Sequence, residues 1–335
     1  MTPLVPRCHV PVNSGTDTKK SRRQAMSLDA ETRAFLDKAA ASATKPRHLM
    51  TPQEARAAFS GMRALLAPGP QVHQARDLHI PVESGQLPCR LFMPSASPKA
   101  LLVYFHGGGW VVGGVEEFDP LCREIAVGAD VAVALVEYRK APEHPFPGPV
   151  DDACTALAWL NAARQELLGA ELPLMVGGDS AGANLAIATT LKARQNGGPA
   201  LAAQLLVYPV TDCRFDRPSY VAPDNQLLTS RDVMLRYWSL YAPDESQRLS
   251  SLASPCREAD LRGLPEAIVL TAEHDVLRDE GEEYAERLRA AGVAVHRWRA
   301  PGQMHGFLML LGILPGSRGG LRFICAQLRE LATRA

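Results

Sequence analysis

The chain has 335 residues, 46% hydrophobic and 21% charged, which supplies a large core and excludes a disordered or low-complexity protein. Lys plus Arg and Asp plus Glu each total 36, so no net field gathers nucleic acid, an anionic bilayer or a polyanionic substrate. The longest apolar run, Phe307 to Leu314, is closed by Pro315 well short of the roughly 20 residues of a spanning helix, which argues against membrane insertion. Seven cysteines without any C-x-x-C pair suit reduced thiols in a cytoplasmic protein better than a disulfide framework.

Residues 1–25 carry Arg7, Lys19, Lys20, Arg22 and Arg23 against Asp17 alone, with turn formers throughout. They read as a disordered basic extension, and they lack the apolar stretch of a secretory signal. A basic targeting arm is the rival reading, but the segment has no amphipathic order. Met26 then resembles a natural start, with Ser27 or Asp29 placed to cap a helix.

Two helical patterns follow: Leu28, Phe35, Leu36 and Ala39, then Pro52 at a first turn with Phe59, Met62, Leu65 and Leu66. So small a pair cannot form its own core and must lie on something else. Beyond residue 70, strands are predicted near 77–82, 87–93, 101–105, 131–137, 173–177, 203–208, 267–272 and 293–298, with helices between most of them. The first two alternate and suit an antiparallel edge, whereas Leu101–Phe105, Val131–Val136 and Ile268–Thr271 read as buried parallel strands. The expected class is α/β, a mostly parallel eight-stranded sheet with helices on both faces, continuous over residues 71–335.

Chemistry in such sheets sits at the carboxyl ends of strands. After residues 173–176 comes Gly177-Gly-Asp-Ser180-Ala-Gly182, a G-x-S-x-G in its strand-turn-helix setting, where small residues let strand and helix backbones approach and lift the serine clear. The bland reading is a glycine-rich loop with Ser180 as helix N-cap. After residues 101–105 comes His106-Gly-Gly-Gly-Trp110, whose bare amides can be aimed at an alkoxide, with the Ala181 amide as a further donor. A phosphate loop fits poorly, since Val112 stands where the last glycine of G-x-G-x-x-G belongs and no Gly-Lys pair exists.

An activated serine needs a base, and the base a carboxylate. Past the strand ending near Ala272, Asp279 has Glu282 three residues on, a capping-box spacing that assigns it structural duty and leaves Asp275 as the acid. Past the last strand, His305 stands in a loop beside Gly306; His296 lies inside a strand, His274 adjoins the acid and His144 sits among prolines. The order Ser180, Asp275, His305 is that of the α/β-hydrolase fold.

On these residues the chain resembles the bacterial hormone-sensitive-lipase-like esterases, the family IV lipolytic enzymes of the α/β-hydrolases. His106-Gly-Gly-Gly-Trp110, Tyr138 to Pro147, Gly178-Asp-Ser-Ala-Gly182, Asp275 with Leu277-Arg278-Asp279, and His305-Gly-Phe307 occur in family order, within a likeness spanning residues 27–333. The resemblance implies Ser180 as nucleophile, Asp275 as acid and His305 as base, with Gly108, Gly109 and Ala181 forming the oxyanion hole. It also implies an N-terminal helical cap, here residues 26–70, with 224–241 as a second cap segment. Val276 replaces the family's usual proline and Lys140 a common leucine; loss of the proline is expected to loosen the acid loop.

The implied activity is hydrolysis of short to medium acyl esters through an acyl-enzyme. It needs no cofactor, and no metal-ligand spacing is present. Trp110 and the run Phe307-Leu308-Met309-Leu310-Leu311 border the expected site, with Trp110, Phe307 and Leu308 as the expected pocket lining and core packing as the competing reading for most of the run. Amide, lactone or deacetylase chemistry would use the same triad, and a receptor-like, binding-only member of the fold would lack the histidine. A small-molecule ester is the expected partner, with a homodimer through a sheet edge as the family's habit.

Overall fold

The computed structural model describes residues 27–334 apart from Ser84, so the basic segment 1–25 lies outside the described residues. In chain order the elements are α1 (Ala30–Ser42), α2 (Pro52–Gly61), β1 (Gln74–Val82), β2 (Gly85–Met93), β3 (Leu101–Phe105), α3 (Val115–Ala129), β4 (Ala132–Val136), α4 (Gly148–Leu168), β5 (Leu174–Asp179), α5 (Ala181–Gln195) and β6 (Ala203–Val207). Then come α6 (Pro218–Val221), α7 (Arg231–Tyr241), α8 (Glu245–Arg248), β7 (Glu266–His274), α9 (Arg278–Ala290), β8 (Val295–Met304) and α10 (Pro315–Arg334). The eight strands form one sheet in the order β1-β2-β4-β3-β5-β6-β7-β8. The β1/β2 and β2/β4 pairs are antiparallel and the others parallel.

Every residue of β3, β4, β5 and β6 is buried, because helices cover both faces; that is why these runs read as nearly unbroken apolar stretches. Side chains alternate across the sheet. Leu101, Val103 and Phe105 join the core shared with α4, α5 and α9, while Leu102 and Tyr104 join the one shared with α3 and α10. β8 runs on to Met304, past the end expected near residue 298, with a register irregularity opposite Ala272 and His274. It passes through Pro301, which cannot donate to a ladder but is tolerated because β8 is an edge strand. His305 therefore follows the strand directly.

The first two helices are held from outside, as their composition requires. Asp29 caps α1 by accepting from the Thr32 amide (2.6 Å), and its own amide donates to the Gly302 carbonyl of β8 (3.1 Å). Thr51 and Glu54 form a reciprocal capping box ahead of α2, with Pro52 in its first turn, yet no α2 residue is fully buried. Arg56 ties α2 to the body: it donates to the Val111 and Ala141 carbonyls (both 2.9 Å) and forks onto Glu143. That pairing holds the Glu143 carboxyl down at about 2. The apolar pattern read through Leu66 is α2 followed by a separate 3-10 turn, Met62–Leu65, whose Leu65 is exposed.

Candidate active site

Ser180 stands between β5 and α5 with φ 55° and ψ −118°, a conformation that side-chain-bearing residues rarely adopt. Hydrogen bonds hold it there: its amide donates to the Val207 carbonyl (2.8 Å), and its carbonyl accepts from Asn184 (3.1 Å) and Val210 (3.3 Å). The tight turn depends on glycine. A Cβ at Gly178 or Gly182 would run into the Phe105 carbonyl of the neighbouring strand. Ser180 occupies the N-cap position, but its side chain makes no capping bond. Its Oγ instead lies 2.9 Å from His305 Nε2, and His305 Nδ1 lies 2.7 Å from Asp275 Oδ2. The three residues come from the ends of β5, β7 and β8, neighbours on one side of the sheet apart from the intervening β6.

Asp275 is fixed independently of the histidine. Its Oδ1 accepts from the Leu277 amide (2.8 Å), and its carbonyl accepts from Asn225 Nδ2 (3.3 Å). Ser219 Oγ donates to the carbonyl of Val276 (2.7 Å), and Val276 is itself fully buried, so the loop without the family's proline is secured by α6 and the turn after it. The capping box expected of Asp279 and Glu282 does not form, because the turn closed by Asp275 carries the chain into α9 two residues earlier, at Arg278. Asp279 accepts instead from the Ser219 amide (2.7 Å), and Glu282 pairs with Arg299 and accepts from Thr271 Oγ1 (3.0 Å).

Facing Ser180 is the loop after β3, where Gly108 (φ +116°) and Gly109 (φ +59°) adopt conformations that favour glycine. Their amides donate to no acceptor among the described residues, and the amide of Ala181 opens α5, where no helical turn satisfies it. The buried Asp179 anchors this loop: its Oδ1 accepts from the Gly107 amide (2.9 Å) and the Tyr104 hydroxyl (3.0 Å). Burial pushes the Asp179 carboxyl up to about 6, against the pull of those donors and of His305. His106 packs beneath, stacked on Tyr138 at 4.5 Å, and Tyr138 donates to its carbonyl (2.9 Å). Burial, helped by Lys140, draws its imidazole down to about 4, so it is neutral at pH 7. The role of Asp179 escaped the sequence reading, since nothing in G-D-S-A-G says that its second residue reaches back to another loop.

A cleft of about 670 Å³, counting its open mouth, reaches Ser180, His305, Gly108 and Gly109. Phe59 and Met62 from the first helical segment and Leu228, Met234 and Tyr237 from the 224–241 segment line it. Trp110, Phe307 and Leu308 are not among the lining residues, contrary to expectation. Trp110 is fully buried and stacks on Tyr241 at 3.9 Å, with Trp238 edge-on. Phe307 and Leu308 are also fully buried and pack where Gly320 of α10 makes room. Adjacency in sequence misled here: the 3-10 turn Phe307–Met309 carries Phe307 and Leu308 into the core. From that same run, Met309 and Leu310 do reach the cleft.

One buried acid near the acid loop takes no part in this arrangement. Glu280 in α9 is fully buried; its Oε1 accepts from the amides of Thr211 (2.7 Å) and Asp212 (3.3 Å), and burial pushes its carboxyl up to about 8. A carboxyl whose folded-state pKa exceeds its unfolded value binds its proton more tightly in the native protein, so stability falls as pH rises from the unfolded value toward 8. Its share amounts to roughly 1 kcal/mol per pH unit in that window. Denaturant titrations at pH 5 to 9 are expected to show Glu280→Gln gaining on the wild type as pH rises; parallel profiles would refute this.

A family model described as an alpha/beta hydrolase fold matches residues 102–309. The carboxylesterase NlhH of Mycobacterium tuberculosis is 40% identical over 238 residues, 69% of this chain and 74% of that protein. The ethyl acetate hydrolase of Pseudomonas putida is 36% identical over 319 residues, 91% of this chain and 99% of that protein. Among solved structures, a thermostable esterase from Pseudomonas putida ECU1011 superimposes with a TM-score of 0.85 at 32% identity, covering 91% of this chain and 98% of that one.

Proposed function

Starting from a chain that belongs to the α/β-hydrolase fold family, in its hormone-sensitive-lipase-like branch, and is a carboxylesterase, we propose that Ser180, His305 and Asp275 carry out the reaction as nucleophile, base and acid. The supporting observation is the unbroken chain of hydrogen-bond distances from Asp275 through His305 to Ser180 Oγ, 2.7 and 2.9 Å. His305 Nε2 takes the hydroxyl proton as Oγ attacks the ester carbonyl carbon, and Asp275 stabilises the imidazolium that forms. The carbonyl π electrons move to oxygen, where the amides of Gly108, Gly109 and Ala181 receive the charge; one such donor is worth about 3 to 4 kcal/mol of barrier. Collapse expels the alcohol, which takes the proton from His305 and leaves the acyl group on Oγ. Water then attacks with His305 again as base, releasing the carboxylic acid and the free serine.

In this reading residues 26–70 and 224–241 form the cap, supported by their shared lining of the cleft. Side chains of both segments wall the cleft beside Ser180, which supports a reading of short to medium acyl groups. A cytoplasmic setting fits the free state of Cys89, Cys122, Cys154, Cys213, Cys256 and Cys325, and no helix among the described residues is long and apolar enough to cross a membrane. A homodimer paired through a sheet edge would use one of the two outer strands, β1 or β8.

Hydrolysis of 4-nitrophenyl esters from acetyl to palmitoyl tests the acyl range. The expected profile peaks among short and medium chains. A maximum at palmitoyl would overturn the acyl preference, and a folded protein that turns over no ester would overturn the reaction itself.

A further inference from the structure

The cleft contains a cation that the reaction above does not use. Arg47 lies in the short 3-10 turn Arg47–Leu49 between α1 and α2, and it lines the cleft together with Ser180 and His305; it is the only Lys or Arg to do so among the described residues. Its guanidinium makes no ion pair or hydrogen bond with any described residue and lies over no aromatic ring. The neighbouring arginines differ: Arg56 holds Glu143 and Arg63 holds Glu116. Desolvation pulls the Arg47 pKa below its ordinary value, and the only titratable group acting against this is the Tyr237 phenol. Arginine keeps its charge regardless.

Two further hydrogen-bonding side chains, Tyr237 and Thr229, line the same cleft with hydroxyls that bond to no described group. The rest of the wall is largely apolar, with Phe59, Phe118, Leu228 and Met234. Arg47 is exposed at the cleft surface, where its unpaired planar guanidinium is free to match a carboxylate with two parallel bonds. A single positive charge with two neutral donors suits a monoanion better than a phosphate dianion, whose second charge would go unpaired in a cleft that Asp179 also lines.

We propose that the enzyme selects ester substrates carrying a free carboxylate remote from the scissile bond, and that Arg47, with the hydroxyls of Tyr237 and Thr229, receives it. This rests on the ester-hydrolase reading of the same site. Carboxylate-bearing esters of this kind include hemiesters of dicarboxylic acids and acyl esters of hydroxy acids.

The test compares matched substrates on the full chain: mono(4-nitrophenyl) adipate against 4-nitrophenyl hexanoate for a carboxylate on the acyl side, and 4-carboxyphenyl hexanoate against phenyl hexanoate for the alcohol side. For each pair the ratio of kcat/KM, charged over neutral, is measured in wild type, Arg47→Gln and Arg47→Lys. In at least one pair the ratio is expected to fall about tenfold in Arg47→Gln, to recover partly in Arg47→Lys, and in the wild type to decline with added NaCl as screening weakens the attraction. Ratios indifferent to salt and to both substitutions would overturn the proposal while leaving the esterase intact. If the wild type hydrolysed none of the esters, the ester-hydrolase reading would fail first. The salt dependence is read on the unmodified protein, so it decides the matter even if Arg47→Gln does not fold.

Discussion

Ser180→Ala is expected to lower kcat toward nitrophenyl esters by a factor on the order of 10⁵ to 10⁶ while leaving the melting temperature close to that of the wild type. The two halves of this expectation have separate causes. Oγ is the only atom at the strand-helix turn that can form the acyl bond, and His305 cannot activate a methyl group. Removing it leaves the amides of Gly108, Gly109 and Ala181 in place, so residual catalysis above the uncatalysed rate persists. Stability, by contrast, depends on the backbone bonds of residue 180 to Val207, Asn184 and Val210, which alanine preserves. Alanine does inherit the positive φ of 55°, a strain the native serine already bears. A variant retaining more than about a hundredth of wild-type kcat would sink the assignment of Ser180 as nucleophile.

Gly182→Ala is expected to produce the largest loss of stability from a single methyl group. A Cβ there would collide with the carbonyls of Phe105 and His106, both backbone atoms of the strand end that carries the glycine loop. No side chain can rotate away, so β3 and α5 must separate, at a cost of about 3 kcal/mol or more. For a domain of this size that lowers the melting temperature by roughly 6 °C. Activity should fall as well, because the displaced loop carries the donors that face Ser180. Gly61→Ala provides the contrast: it ends α2 with nothing within 4 Å of the added methyl and with helical φ, so it is expected to stabilise slightly. Equal melting temperatures for the two variants would refute the packing argument.

Much of this protein is legible before any tertiary structure is seen. Strands buried on both faces read as continuous apolar runs because burial acts directly on composition, and each of the eight predicted strands overlaps a strand of the sheet, with the largest boundary error at the exposed edge strand β8. The glycines around Ser180 and in the loop after β3 are equally plain, since a backbone approach that excludes a Cβ can be met by no other residue. Serine, aspartate and histidine at three strand ends, in chain order, were enough to bring Ser180, Asp275 and His305 to attention, and they do converge.

What escaped the sequence depends on direction and distance, which periodicity does not encode. Trp110 follows the glycine loop yet turns into the core against Tyr241, and Phe307 and Leu308 pack against α10 while Met309 and Leu310 reach the cleft. Asp279 has capping-box spacing but serves α6, because the hydrogen bond that closes the turn at Asp275 moved the helix start. Asp179 anchors a loop seventy-two residues away, and Arg47 comes to line the same cleft as Ser180, 133 positions on, only when the sheet is assembled. The sequence by itself determined which elements form and which residues carry chemistry, because local sterics and burial select residue types. Only the tertiary structure decided which side chains face the cleft and which charge there is left without a partner, because those follow from the packing of segments remote in the chain.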